Sequence, residues 1–276
     1  MNTQRAQTDR FRELHHGGAP FLMPNAWDAG SAKVLTAVGF GAIATTSSGF
    51  AATLGRRDGS VTLDEVLAHC RVITAATELP VSADFENGFA DAPEAVAENV
   101  RRAGATGLAG LSIEDFTGRA DDPIYSLSLA VARIEAAADA AHRNDPPLVL
   151  TARAENLLHG RIDLDDTIDR LQRYQSAGAD VLFAPGLSDI GDIRRVVGAV
   201  DRPVNVLLVP GAPAVRELGA AGVARISVGG SLAWSALGAV ADSARDLLER
   251  GEVTYRESAA TARRLVQDRL TTLDRP

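Results

Sequence analysis

The chain holds one cysteine, Cys70, and one lysine, Lys33, among 276 residues. A lone cysteine excludes internal disulfides and any thiolate metal cluster, and it suits a reducing compartment. Cys70 falls in the middle of the helical stretch LDEVLAHCRVITAA, where a buried, inert thiol is the expected role. The lone lysine excludes a second chemistry. A barrel aldolase working through a Schiff base needs a lysine at a strand end, whereas Lys33 follows WDAGSA on a helix. Long apolar runs are missing as well: no stretch nears the roughly 18 residues a membrane helix requires, and MNTQRAQTDRFREL has no apolar signal core. Basic excess is also absent, since the formal charge is −8 and the pI near 5.2. Nucleic acid and anionic membranes are therefore poor partners, and a small anionic substrate would need local positive charge. A cytoplasmic protein is expected.

What is present is ordinary globular composition, 46% apolar and 23% charged, on a chain long enough for a sizeable core. No Pro/Ser-rich linker or run of like charge divides it, so one domain over 1–276 is expected. A pattern recurs along it. In AVGFGAIATTSSG, RAGATGLAGLSIED, SAGADVLFAPG and ELGAAGVARISVGG a helical stretch closes on Gly or Gly-Ala before a short apolar run. Glycine there suits a left-handed cap, and the run suits a strand buried on both faces. Candidate strands fall at 20–24, 41–46, 80–84, 107–114, 147–153, 180–185, 203–207 and 224–228. Helix starts are marked between them, by Thr62 with Glu65, by Asp91 before Pro93, and by Asp163. Alternation on this scale closes most simply into a (β/α)8 TIM barrel. An open doubly wound sheet is the alternative, but FLMPNAWDAGSA lacks its Gly-rich dinucleotide loop. Residues 240–276 read as a helical C-terminal extension, with a surplus helix near 254–271 serving as a lid or as an arm onto a neighbouring subunit.

In such a barrel the chemistry sits at the C-terminal strand ends. Those ends carry Asn25 and Asp28; Ser47, Ser48 and Gly49; Asp84, Glu86 and Asn87; Glu114 and Asp115; Arg153, Glu155 and Asn156; Asn205; and Ser227, Gly229 and Gly230. Acidic groups from three consecutive strands should converge and would repel one another without a cation among them. An all-oxygen set suits a hard ion, Mg²⁺ or Mn²⁺. The plain structural reading is that Asp84 and Asp115 cap the following helices.

At these residues the sequence resembles the isocitrate lyase/phosphoenolpyruvate mutase superfamily. ADFENGF is similar to its Asp-x-Asp-x-Gly-Tyr-Gly segment, SIEDF to its Glu-Asp segment, TARAEN to its Arg-containing strand, and TTSSGFAATLGRRD to its Ser-Gly-Leu loop and mobile Arg-Asp gate. The likeness runs in order from about residue 20 to 235. It implies a metal held by Asp84, Glu86 and Glu114, largely through water. It also implies a substrate carboxylate gripped by Ser48 with the backbone of Gly49 and Phe50, Arg153 neutralising that charge, and Asp58 on the gate. Catalytic roles then fall to Asp58, Glu114 and Arg153, and Asn205 joins the substrate contacts. The substrate would be a 2-oxo acid of pyruvate, oxaloacetate or phosphonopyruvate type, handled through an enolate, and the assembly a homotetramer or dimer of dimers.

The departures are informative. Glu86 stands where Asp is commoner, and Ala90 replaces the last glycine. The superfamily's lyases carry a Lys-Lys/Arg-Cys-Gly-His loop after the fourth strand, yet EDFTGRADDPIYSLS has no cysteine, lysine or histidine, nor the Lys-x-Asn-Ser of the mutases. The chain thus looks like a branch without the lyase loop, similar to carboxyphosphonoenolpyruvate phosphonomutase. A methylisocitrate-type lyase with another acid/base and a non-catalytic small-acid-binding barrel are the alternatives, and a phosphate site at SVGGS is a third. Among other residues, His15 and His16 read as a solvated or capping pair, His69 and His142 as structural, and His159 and Tyr125 as outside candidates for proton transfer.

Overall fold

A computed structural model describes residues 3–270. Its strands form a single parallel sheet in which each strand pairs with its neighbours in chain order and the last returns to the first. The first strand of the expected eight is split at Pro24 into β1 (Phe21–Met23) and β2 (Asn25–Ala26). β1 pairs with the last strand, β9 (Arg225–Ser227), while β2 pairs with β3 (Ile43–Thr45), so the two halves close the cylinder. Asn25 bridges the closure, its amide donating to the Thr45 carbonyl at 2.7 Å and its Oδ1 accepting from Val228 N–H at 3.2 Å. The remaining strands are β4 (Val81–Asp84), β5 (Gly110–Glu114), β6 (Val149–Arg153), β7 (Val181–Phe183) and β8 (Val204–Leu207). Each overlaps an expected run, and the barrel reading holds.

Helices α2 (Ala29–Val38), α4 (Leu63–Ala76), α5 (Pro93–Gly104), α6 (Leu127–Arg143), α7 (Leu164–Ser176), α8 (Ile190–Ala199) and α9 (Val215–Ala220) follow the strands, and short α3 (Ser47–Thr53) begins directly after β3. The Thr62–Glu65 capping box forms, and Asp163 caps α7. Asp91 does not cap: the residue before Pro93 is Ala92, with no side-chain bond, because the Asp91 carboxylate is drawn away to the Tyr125 hydroxyl and Arg119. Cys70 is fully buried, as its helix position requires.

The floor of the barrel is closed by α1 (Thr3–His15), whose Phe11 packs against Met23, Ala42, Ala44, Val149 and Val181. Gly110 makes room for it. A Cβ there would lie 2.6 Å from the Val149 carbonyl oxygen and 2.9 Å from the Phe11 ring. Since the nearer contact is backbone, Gly110→Ala should lower stability by about 1–3 kcal/mol. Urea melts check this, and a wild-type midpoint would mean that α1 does not seat as described. His15 at the end of α1 corrects the expectation of a solvated pair: only His16 is exposed, whereas His15 is buried edge-on against Phe11 and Phe21.

The surplus helix expected at the C-terminal end is present. α10 runs unbroken over Ser231–Arg250, so a boundary at 240 falls inside one helix, and the surplus helix is α11 (Arg256–Val266). α11 lies beside α2, with Lys33 Nζ donating to the Arg269 carbonyl at 2.6 Å and Arg269 paired to Glu78 at 3.2 Å.

Candidate active site

The mouth of the barrel opens into a cavity of about 240 Å³. Its wall includes Ser47, Ser48, Asp58, Asp84, Arg153 and Asn205. Period-two alternation brings them together, because Asp84, Glu114 and Arg153 each end a strand in register with its neighbour: Asp84 pairs with Ser112, and Glu114 with Arg153. Arg153 is the hub. Its guanidinium reaches Asp84 Oδ1 at 2.8 Å, Glu114 Oε2 at 3.1 Å and Glu155 Oε1 at 2.8 Å, and its Cζ stands 5.2 Å from the centre of the Phe183 ring. The other Asp84 oxygen accepts from Ser47 N–H at 3.0 Å.

Carboxyl groups outnumber the single guanidinium here. Glu86 and Asp58 add to the three carboxylates on Arg153, and both feel the Asp84 charge. Burial, then Asp84 and Asp58, push the Glu86 carboxyl up to about 8. Burial raises Glu114 well above the carboxylate range despite Arg153, and raises Glu155 as well. Loss of solvation and the Asp84 charge raise Asp58 against the Ser47 hydroxyl that bonds it. Against the cost of burial, Glu155, Glu114 and Asp84 hold Arg153 firmly charged. One Glu86 oxygen is sealed in with no hydrogen-bond partner.

The geometry that aims Glu86 is strained. Its φ is 47°, in the left-handed region that a side chain with a Cβ disfavours, and Phe89 follows at 58°. Arg133 on α6 fixes this loop by donating to the carbonyls of Asn87, Ala90 and Asp91, with its guanidinium 4.1 Å over the Tyr125 ring. Beneath the loop, the buried Asp115 carboxylate accepts from Glu155 N–H at 2.7 Å, from the Tyr174 hydroxyl at 2.5 Å and from Arg170 at 3.1 Å. Asp115 thereby sets where Glu155, and through it Arg153, can stand. Its role is support, but not as the helix cap of the plain structural reading, since Ser126 caps α6.

The substrate-binding expectations divide. Ser48 reaches the cavity, and its Oγ accepts from Trp234 Nε1–H on α10 at 3.0 Å, which leaves its own O–H free to donate. Gly230 permits this approach: a Cβ on it would lie 3.2 Å from Ser48 Oγ. The backbone grip expected from Gly49 and Phe50 is not free, because helix α3 consumes both groups. Gly49 N–H donates to Thr46 Oγ1 at 3.3 Å, Phe50 N–H to the Thr46 carbonyl at 3.0 Å, and the Phe50 ring stacks on His69. Asn205 lines the cavity with its amide already engaged, accepting from Arg225 at 2.9 Å and donating one N–H to Ser227 at 2.9 Å. His159 stacks on Phe116 at 3.9 Å, with its Nε2 3.9 Å from Glu155. The buried Tyr125 hydroxyl bonds Asp91, which ties it away from proton transfer.

Ser47, Glu155 and Arg225 are the site residues that sequence reasoning left without a role. Ser47 and Glu155 stand next to or two residues from assigned positions. For Arg225 the signal was an arginine inside the otherwise apolar strand VARISV.

Residues 11–248 match the phosphoenolpyruvate phosphomutase family. The chain belongs to that family. Within the wider phosphoenolpyruvate mutase/isocitrate lyase superfamily, a Burkholderia cenocepacia J2315 protein solved as a candidate lyase/mutase is 49% identical with a TM-score of 0.93, covering 97% of this chain and 96% of its own. The 2-methylisocitrate lyase of Salmonella typhimurium is 36% identical over 194 residues, 67% of this chain and 64% of that enzyme. The oxaloacetate decarboxylase of Bradyrhizobium diazoefficiens is 30% identical over 221 residues, 76% of this chain and 72% of that enzyme. Superfamily relatives of this phosphomutase-family chain are thus enzymes of 2-oxo acids and related acids. No helix among the described residues is long and apolar enough to cross a membrane.

Proposed function

We propose that the chain is a Mg²⁺-dependent enzyme that makes or breaks a C–C or P–C bond beside a 2-oxo acid by way of an enolate. The observation that carries this reading is the excess of carboxylates over one guanidinium at the barrel mouth, with a Glu86 oxygen sealed in and unpartnered. The donors are all oxygen, as a hard cation requires. No three acidic or imidazole groups among the described residues converge closely enough to ligate one ion directly. Asp84, Glu86 and Glu114 would therefore hold Mg²⁺ chiefly through its retained waters, a habit of this ion. When bound, Mg²⁺ supplies positive charge beside a developing enolate oxygen.

The chain's own residues do the rest. Arg153, locked by three carboxylates, presents a fixed positive charge to the acid head of the substrate. The Ser48 hydroxyl donates a hydrogen bond to the same group. Asp58, bonded to Ser47 at the cavity edge, is the carboxyl placed to hold or take a proton beside the reacting carbon. With the lyase-type thiol loop absent, Asp58 is the proton-transfer group the geometry favours.

Oxalate, a mimic of the enolate, provides the test. Mg²⁺ and oxalate together should raise the melting temperature, a ligand at a hundred times its Kd contributing about 2.7 kcal/mol. Glu114→Gln should keep the fold and lose turnover on a 2-oxo acid panel read by pyruvate release. A melting temperature indifferent to both ligands at millimolar concentration removes the basis of the proposal. The homotetramer is also a proposal, supported by Trp234, Leu237, Val240 and Leu248 standing exposed on α10; light scattering that returns a monomer refutes it.

A further inference from the structure

The interior of an eight-stranded barrel is normally filled by bulky branched side chains. Here several inward positions above Phe11 are small or polar instead, among them Ser82, Ser112, Asn205 and Ser227, and the cavity continues down between them to Arg225. Arg225 lies on β9 and is only 3% exposed. Its Nε donates to Asn205 Oδ1 at 2.9 Å, and its Nη1 to Thr151 Oγ1 and His15 Nε2, each at 3.2 Å. All three acceptors are neutral. No carboxylate pairs with this guanidinium among the described residues, whereas the buried Arg153 and Arg170 each have acidic partners.

Arginine carries five N–H donors, and both on Nη2 of Arg225 lack a partner among the described residues. Nη2 is not sealed away either: the sealed, partnerless side-chain atoms among those residues belong to His69, Glu86 and Asn156. A buried charge without a counter-charge is costly, and burial together with nearby Arg153 pushes this guanidinium down to about 9. The cavity is thus acidic at its mouth and positive at its floor, and the floor's charge has no internal match.

We propose that Arg225 is a specificity-determining residue that receives the second negative group of a dianionic 2-oxo acid at the floor of the cavity. This rests on the function proposed above and adds to it the substrate's charge and the residue that reads it. The acid head sits at the mouth with Ser48 and Arg153, and the distal group extends down the barrel to the free edge of Arg225. A carboxylate or a phosphonate supplies the same paired acceptor oxygens to a guanidinium edge. Asn205 acts as the positioning residue, holding Nε so that Nη2 faces the ligand. A monoanionic acid leaves the charge unmatched and binds more weakly.

Calorimetry in Mg²⁺ tests this with four probes: oxalate, pyruvate, 2-oxoglutarate and 3-phosphonopyruvate. The wild type should bind at least one of the two dianionic 2-oxo acids about tenfold or more tighter than pyruvate. Which one it prefers separates carboxylate from phosphonate recognition. Arg225→Met should erase that preference and leave oxalate affinity within about twofold, and Arg225→Lys should restore part of it. Equal weakening of oxalate and of the two 2-oxo acids with a distal acid group in Arg225→Met assigns the residue a structural role and overturns the proposal. Absence of preference in the wild type also overturns it, even if Arg225→Met does not fold. Oxalate that fails to bind the wild type defeats the metal-site reading and this inference together; lost discrimination with oxalate binding intact defeats this inference alone.

Discussion

Arg153→Met is expected to abolish turnover and to destabilise the fold by about 3–5 kcal/mol, the usual cost of removing one partner from a buried ion pair. The arginine side chain is 16% exposed and the side chains of Asp84, Glu114 and Glu155 are 17%, 11% and 3% exposed, so water can replace little of the lost attraction. For a chain of this size such a loss lowers the melting temperature by on the order of 10 °C. The deficit should also depend on pH. Burial raises Glu114 and Glu155 and Arg153 opposes the rise, so with Arg153 gone these two carboxyls lie further above their unfolded values. A carboxyl raised in the folded state weakens the fold when both states are ionised and ceases to do so once it is protonated in both. The variant should therefore recover toward the wild type as pH falls from 8 to 5. A deficit constant across that range would show that Arg153 stabilises by packing on Phe183, and the electrostatic description of the mouth would be wrong.

The barrel was legible because its signals are local and repeated. Gly39, Gly107, Gly178 and Gly222, at the helix-to-strand turns, all have positive φ, and each precedes a short apolar strand. Asp84, Glu114 and Arg153 were legible for a related reason: a strand end in a barrel fixes a residue's place, and alternation fixes its direction. The pairing among them was not. No spacing states that one guanidinium binds three carboxylates, since this follows from the tilt of three strands around the cylinder. Gly49 and Phe50 went astray through helix geometry, because α3 starts one residue after β3 and takes up the N–H groups a loop would have left free. His15 and Arg225 were invisible as a pair. They are 210 positions apart, and only closure of the barrel over α1 brings them into contact.

The second large effect concerns acid. His15 and His69 are buried and neutral. Burial and then Arg225 push His15 down to about 3, and burial pushes His69 down to about 4 even though Asp28 opposes it. His15 Nδ1–H donates to the Phe11 carbonyl at 2.7 Å while Nε2 accepts from Arg225, so a second ring proton would face a guanidinium. His69 stacks on Phe50 with its Nε2 sealed and unpartnered. In the unfolded chain both rings take up protons as pH falls below about 6.5, whereas the folded chain resists down to about 3 and 4. The unfolded state then binds more protons, so stability falls with pH, by about 2 kcal/mol for each ring at pH 5. Glu86 and Glu114 pull in the opposite sense, which makes a difference measurement the clean one. His69→Phe removes one titrating ring and keeps the stack on Phe50. Its stability should stay near the wild type at pH 7.5 and rise above it progressively from pH 6.5 to 4, reaching about 2 kcal/mol at pH 5. Urea melts at half-unit pH steps decide the matter. Parallel curves for variant and wild type would mean that His69 is protonated in the folded protein, and the acid sensitivity would then have to arise elsewhere.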